Sequence, residues 1–161
     1  IEVSNKPVAI SHANPNFFHK SKRNIDTDIL QKLVKKNGFI GLSLYPYHLK
    51  NLGDCTIEDF CEMIKELVNL IGEDNIGIGS DLCLNWPDDV VMWMRNGKWT
   101  KNIDYGESKD KNPKWPKLPS WYKQPSDLNN LFNLMCENNI PEKVSTKIIG
   151  QNWFNFMKNQ F

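Results

Sequence analysis

The chain lacks most of the features that would assign it to a special class. It carries no surplus charge: 20 Lys and Arg against 19 Asp and Glu leave a formal net charge of +1 over 161 residues. So even a balance gives no electrostatic case for nucleic acid or an anionic membrane surface. No apolar run comes near the roughly 20 residues that a membrane-spanning helix needs. The 4 cysteines, Cys55, Cys61, Cys83 and Cys136, are too few and too irregularly spaced for a disulfide framework. Cys55 and Cys61 form no CxxC, and neither has a histidine at zinc-finger spacing, so the cysteines read as reduced packing residues. Histidine is scarce too, with only 3 in the chain. What is present, 40% hydrophobic and 24% charged residues, is the composition of a globular protein and excludes wholesale disorder. The length suits one domain or a piece of a larger one, and an opening Ile1 followed at once by apolar sequence favours the piece.

Three times an apolar run leads into a helical pattern. Pro7 to Ser11 reads as a buried parallel strand that ends at His12 and gives way to a polar loop, Ala13 to Asn24. Asp26 and Asp28 open an amphipathic helix with Ile29, Leu30, Leu33 and Val34 on one face, closed at Asn37-Gly38. A second strand is expected over Phe39 to Tyr45, stopped by Pro46. Thr56-Ile57-Glu58-Asp59 is a partial capping signal for a helix carrying Phe60, Ile64, Leu67, Val68 and Ile71, with Gly72 at its end. The third run, Ile76 to Ser80, meets Asp81. Strand and helix in alternation imply parallel pairing and an α/β architecture. Helical patterns at 126–138 and 141–159 finish the chain, with Trp153, Phe154, Phe156, Met157 and Phe161 as the expected core face of the last.

The pattern breaks between Asp81 and Gln124, which holds Trp86, Trp93, Trp99, Trp115 and Trp121, five of the 6 tryptophans. Its middle, Lys101 to Lys117, reads as a surface loop. There Asp104, Glu107 and Asp110 offset Lys109, Lys111, Lys114 and Lys117, so a solvated surface outweighs a single-strand binding face. The insertion as a whole, 84–124, is expected to be a lid, a dimer contact or a satellite core under a long loop.

His12 and Asp81 carry the chemical signal, since each leaves a strand end. In parallel α/β sheets and barrels the C-terminal strand ends share the face that hosts active sites. A neutral imidazole beside a carboxylate suits a zinc site, while a hydrogen-bonded His and a helix-capping Asp fit the same pattern. His19, among Lys20, Lys22 and Arg23, reads as a solvated loop residue. Asp88-Asp89 after Pro87 reads as a helix N-terminus rather than an acid–base pair.

The string Pro7-Val-Ala-Ile-Ser-His12-Ala-Asn14, with Arg23-Asn24-Ile25-Asp26 eleven residues after the histidine, resembles the renal (membrane) dipeptidase family of zinc peptidases. Gly77-Ile-Gly-Ser-Asp81 and Gly150-Gln-Asn152-Trp153 are similar to two further segments of that family, in the same order. Leu44-Tyr45-Pro46, Asp54-Cys55-Thr56 and the Trp93-Met94-Arg95 region look like a bacterial branch linked to siderophore maturation.

The resemblance implies a (β/α)₈ barrel of the amidohydrolase type with two zinc ions, hydrolysing a dipeptide by a metal-activated water. His12 would ligate one zinc from the sixth strand. Arg23 would grip the substrate's terminal carboxylate, a task suited to a planar guanidinium. Asp81 would hold the bridging water from the eighth strand and take its proton. His48 occupies a position where the family places pocket residues, with loop packing as the other reading. The family's H-x-D pair, bridging glutamate and two further histidines do not occur, so the chain is expected to be the C-terminal part of the barrel, strands six to eight plus terminal helices. Alone it would expose two sheet edges and be inactive; its partners would be the N-terminal half and, in a homodimer, a second copy. Where the family often continues with a second acid and a glycine after the aspartate, this chain has Leu82-Cys83-Leu84, which makes Cys83 a candidate soft ligand and raises a non-catalytic, scaffolding barrel as the alternative. A different metal hydrolase of the same type is disfavoured by Arg23-Asn24 at its spacing from His12.

Overall fold

The computed structural model describes residues 1–90, Trp93 and 115–158. They belong to two compact units, one of Ile1–Leu82 with Leu118–Phe161 and one of Cys83–Lys117. In the first unit β1 (Ala9–Ile10), β2 (Phe39–Leu42) and β3 (Ile76–Ile78) form one parallel sheet in the order β1-β2-β3. Helix α1 (Thr27–Lys35) links the first pair and α2 (Ile57–Ile71) the second. The architecture is α/β, as the alternating pattern requires. The strands are shorter than their apolar runs, but backbone bonds continue past them, from the Ala13 N–H to the Gly41 carbonyl at 3.0 Å and from the Leu44 N–H to the Ser80 carbonyl at 3.2 Å.

The helices begin and end where the sequence signals them. Thr56 Oγ1 accepts from the Asp59 N–H at 3.1 Å, and Gly72 closes α2 with φ 81°. Past α1, Asn37 takes a left-handed φ of 53°, and the Gly38 N–H reaches back to the Leu33 carbonyl at 2.9 Å. Leu30 and Leu33 of α1 and Phe60, Ile64 and Leu67 of α2 are fully buried, together with Ile40 and Leu42 of the sheet. Four residues of β2 in succession are buried, as expected of a central parallel strand covered on both faces.

The C-terminal patterns form α3 (Leu128–Glu137), α4 (Glu142–Thr146), a π-helical turn (Lys147–Gln151) and α5 (Asn152–Lys158). Helix α5 does something the sequence did not lead us to expect. The alternation of a parallel ladder turns the Gly79 N–H toward β2, where it donates to the Leu42 carbonyl at 2.9 Å, and leaves Ile76 and Ile78 facing the outer edge. Those outer carbonyls are taken: Asn152 Nδ2 donates to Ile76 O at 2.8 Å and Trp153 Nε1 to Ile78 O at 2.8 Å. The expectation of two open sheet edges is therefore corrected on the β3 side, where an amide and an indole of α5 donate to the outer carbonyls. The core face assigned to α5 is also corrected in part. Trp153 and Phe156 pack on Phe39, with ring centroids 4.3 and 5.3 Å away, whereas Phe154 and Met157 are exposed.

The expected 84–124 insertion divides. Trp121 belongs to the core of the first unit, 7% exposed, its Nε1 donating to the Cys55 carbonyl at 2.8 Å and its ring 5.1 Å from Phe60. In the second unit, helical structure begins at Asp88, Asp89 Oδ1 accepts from the Val90 N–H, and Trp115 Nε1 donates to the Trp86 carbonyl at 2.9 Å. Met94, Arg95, Trp99, Asp104, Glu107, Lys109, Asp110, Lys111, Lys114 and Phe161 lie outside the described residues.

Candidate active site

Two strand ends and one loop converge on a single point. His12 follows β1, Asp81 follows β3, and the loop from Ala13 returns Arg23 above them. His12 Nε2 lies 3.2 Å from Arg23 Nη2 and 3.9 Å from Asp81 Oδ1, while His12 Nδ1 lies 2.8 Å from Ser11 Oγ. The imidazole and the carboxylate are each about one-third exposed, at 36% and 33%, so the cluster opens to solvent rather than serving as interior packing. Asp81 has φ 52°, a left-handed backbone that few side chains other than Asp and Asn tolerate. Ser80, just before it, is held through its carbonyl, which accepts from the Leu44 N–H at 3.2 Å.

Missing side chains allow the strand ends to approach so closely. A Cβ on Gly41 or on Gly79 would collide with the Ser11 carbonyl oxygen. Both glycines are thus required for the end of β1 to lean over β2 toward β3. That lean brings His12 within reach of Asp81.

The Arg23 loop is bolted down by two buried asparagines. Asn14 is 0% exposed; its Nδ2 donates to the Ser43 and His48 carbonyls at 2.9 and 3.1 Å, and its Oδ1 accepts from the Ser43 N–H at 3.1 Å. Asn24, next to Arg23, accepts from the Asn14 N–H at 3.0 Å through Oδ1. Its Nδ2 donates to the carbonyls of His19 and His48 at 2.7 and 3.0 Å. The loop after β1 and the loop after β2 are tied into one body, and Arg23 stands on it. Nothing in the residues alone marks either asparagine for this task, although both lie inside the strings that carry the family resemblance.

His48 is not presented to the site in the way its pocket-like position suggested. It is 2% exposed, with Nδ1 2.8 Å from Ser43 Oγ and its ring against Tyr45 at 5.3 Å. Burial, reinforced by the positive charge of Arg23 and by His12 and His19, lowers its pKa from 6.5 to about 4, so it is neutral at physiological pH. Its geometry is that of loop packing. His19 is half-buried and contributes its carbonyl to Asn24. Burial pushes the thiols of Cys55 and Cys61 up to about 12, which fits inert packing residues. Cys83 belongs to the second unit.

The donor chemistry here fits part of a metal site. A guanidinium only donates, so a hydrogen bond from Arg23 would engage the His12 Nε2 lone pair, the one through which a neutral imidazole binds metal. Asp81 adds an oxygen donor. Zinc takes about four ligands, and no group of three or more His, Cys, Asp and Glu stands together among the described residues. His12 therefore fits a metal as one member of a larger ligand set, with the Asp81 carboxylate 3.9 Å from its Nε2.

Comparison with known proteins gives the chain's family. A family model described as membrane dipeptidase (peptidase family M19) matches residues 1–88, a span that includes His12, Arg23, His48 and Asp81. The chain is similar to the dipeptidase aclJ of Aspergillus oryzae, 32% identical over 81 residues, covering 49% of this chain and 19% of that protein. The structure resembles an amidohydrolase from Pseudomonas aeruginosa, with TM-score 0.81 and 29% identity over 96% of this chain and 46% of that one. It also shares its fold with a metallo peptidase from Rhodobacter sphaeroides liganded with a phosphinate mimic of the dipeptide L-Ala-D-Ala, with TM-score 0.72 and 18% identity over 99% of this chain and 38% of that one. The chain thus spans less than half the length of each of these proteins. With its first 88 residues matched and the strand-end cluster in place, the chain belongs to the membrane dipeptidase family, peptidase family M19, a family of metallopeptidases.

Proposed function

We propose that this chain forms part of the active site of a zinc-dependent dipeptidase, contributing strands six to eight of a (β/α)₈ barrel that holds two zinc ions. The observation that carries the reading is the meeting of three chemically distinct groups at the ends of β1 and β3: the Nε2 lone pair of His12, the Asp81 carboxylate 3.9 Å away and the Arg23 guanidinium at 3.2 Å. When bound, the metal supplies Lewis-acid polarisation of the peptide carbonyl and lowers the pKa of the attacking water.

The chain's own residues divide the remaining work. His12 holds the metal through Nε2, whose one lone pair then no longer serves Arg23. Asp81 receives a proton at its carboxylate, a general-base task. Arg23 binds the free carboxylate of a dipeptide; the planar fork matches the two oxygens and selects a substrate that ends within reach of the scissile bond. His48 acts through the loop scaffold rather than on the substrate. A purely scaffolding barrel has no use for the three groups together, which disfavours the non-catalytic alternative despite Leu82-Cys83-Leu84.

Kinetics on the complete protein test this assignment. Arg23→Ala is expected to raise KM for dipeptides by about 10–100-fold, the loss of a charged hydrogen-bonded pair, with bound zinc unchanged. Asp81→Asn keeps a residue that tolerates the left-handed backbone, and should lower kcat by roughly 10²–10⁴ while retaining metal. An Arg23 variant that loses zinc at unaltered KM, or an Asp81 variant with near-normal kcat, removes that residue from its role.

A further inference from the structure

We infer that Ser11 is a positioning residue that fixes His12 in the tautomer protonated on Nδ1, so that Nε2 faces outward as a donor to a metal; this rests on the reading of His12 as a ligand. The two ring nitrogens have different partners: Nδ1 is 2.8 Å from Ser11 Oγ, and Nε2 is 3.2 Å from Arg23 Nη2. Since the guanidinium cannot accept, Nε2 must. A neutral ring with an accepting Nε2 carries its proton on Nδ1, and that N–H donates to the Ser11 hydroxyl oxygen.

The serine is well placed to impose this. Its backbone is confined where its carbonyl oxygen meets Gly41 and Gly79, neither of which can carry a Cβ there. The hydroxyl therefore starts from a fixed origin, one residue from the ring it orients. The arrangement also separates Ser11 from a hydrolytic nucleophile. In a Ser-His-Asp triad the ring nitrogen facing the serine is the base that takes its proton; here that nitrogen already bears one. Partners of this kind around a ligating histidine set ring orientation and basicity, and their loss typically costs about 10–100-fold in metal affinity.

The test uses the complete protein, stripped with a chelator and titrated with zinc against a competing metal-binding dye. Ser11→Ala is expected to weaken zinc binding by about 10–100-fold, Ser11→Thr, which keeps the hydroxyl, to restore it, and KM at saturating zinc to stay at the wild-type value. His12→Ala separates the inference from the reading beneath it. If His12→Ala weakens zinc and Ser11→Ala does not, the role of Ser11 is overturned while the ligand stands. If His12→Ala leaves zinc binding unchanged, the ligand assignment itself falls and the role of Ser11 falls with it. Nitrogen-detected NMR of the histidine-labelled wild-type protein gives an independent reading that needs no variant: a proton on His12 Nδ1 supports the inference, and a proton on Nε2 overturns it.

Discussion

Asn14 and Asn24 show how much the strand-end cluster depends on polar side chains buried behind it. A buried amide must have its donors and acceptor met, because each unmet group costs about 1–3 kcal/mol. These two meet theirs by crossing from the loop that carries Arg23 to the loop that follows β2. Asn24→Ala leaves the His19 carbonyl and the Asn14 N–H without this partner and takes one of two amide donors from the His48 carbonyl. The expected result is a loss of roughly 2–4 kcal/mol in denaturant unfolding, with KM raised more than kcat is lowered, as Arg23 loses its platform. Unchanged unfolding would show that water replaces the bolt. These asparagines were not legible beforehand: in a polar loop they look like solvated residues, and only the fold shows that the loop is closed over them.

His48 has a consequence for pH at the same scale. Its folded pKa of about 4 lies below the unfolded 6.5, so the unfolded chain binds the extra proton between those values. Stability is full above pH 6.5 and falls as the pH drops toward 4, by about 3 kcal/mol at most. Unfolding free energies of wild type and His48→Gln across pH 4–7 check this: the variant should show a smaller slope, and equal slopes would remove His48 as the source. The strand-end positions of His12 and Asp81 are written in the order of apolar and polar residues; the burial of a loop imidazole such as His48 is not.

Among the elements, helix ends and the parallel sheet could be read from Thr56, Gly72, Asn37-Gly38 and the three apolar runs. The role of α5 could not. Its aromatic residues suggested a core face, yet two consecutive side chains, Asn152 and Trp153, serve the outer carbonyls of β3. Asn152 is 3% exposed and also donates to the Glu73 carbonyl at 2.7 Å. Edge strands are blunted in many ways; here a helix supplies the donors. Asn152→Ala should destabilise the protein by about 1–3 kcal/mol and leave KM unchanged, because the cap lies away from the Arg23 loop. Hydrogen exchange would show the loss as faster exchange in β3, and uniform exchange across the sheet would argue against a local cap.

At the level of the whole molecule, the three-stranded sheet and its terminal helices correspond to a part of longer relatives, 46% of the amidohydrolase chain and 38% of the metallo peptidase. Periodicity alone conveys three strand–helix units and their shared rim. It does not convey the close approach of β1 over β2, which follows from two glycines that happen to face the same carbonyl oxygen. The tryptophan-rich stretch was one block in the sequence because composition is blind to burial; Trp121 packs into the first unit's core while Trp86 and Trp93 are exposed. The central claim, that separate parts of the chain meet at one metal-binding rim, is open to a direct look. Crystals of the complete protein grown with zinc should give an anomalous peak about 2.0–2.1 Å from His12 Nε2, on the side that faces Asp81 and Arg23. A peak elsewhere, with His12 still bonded only to protein, would contradict the account.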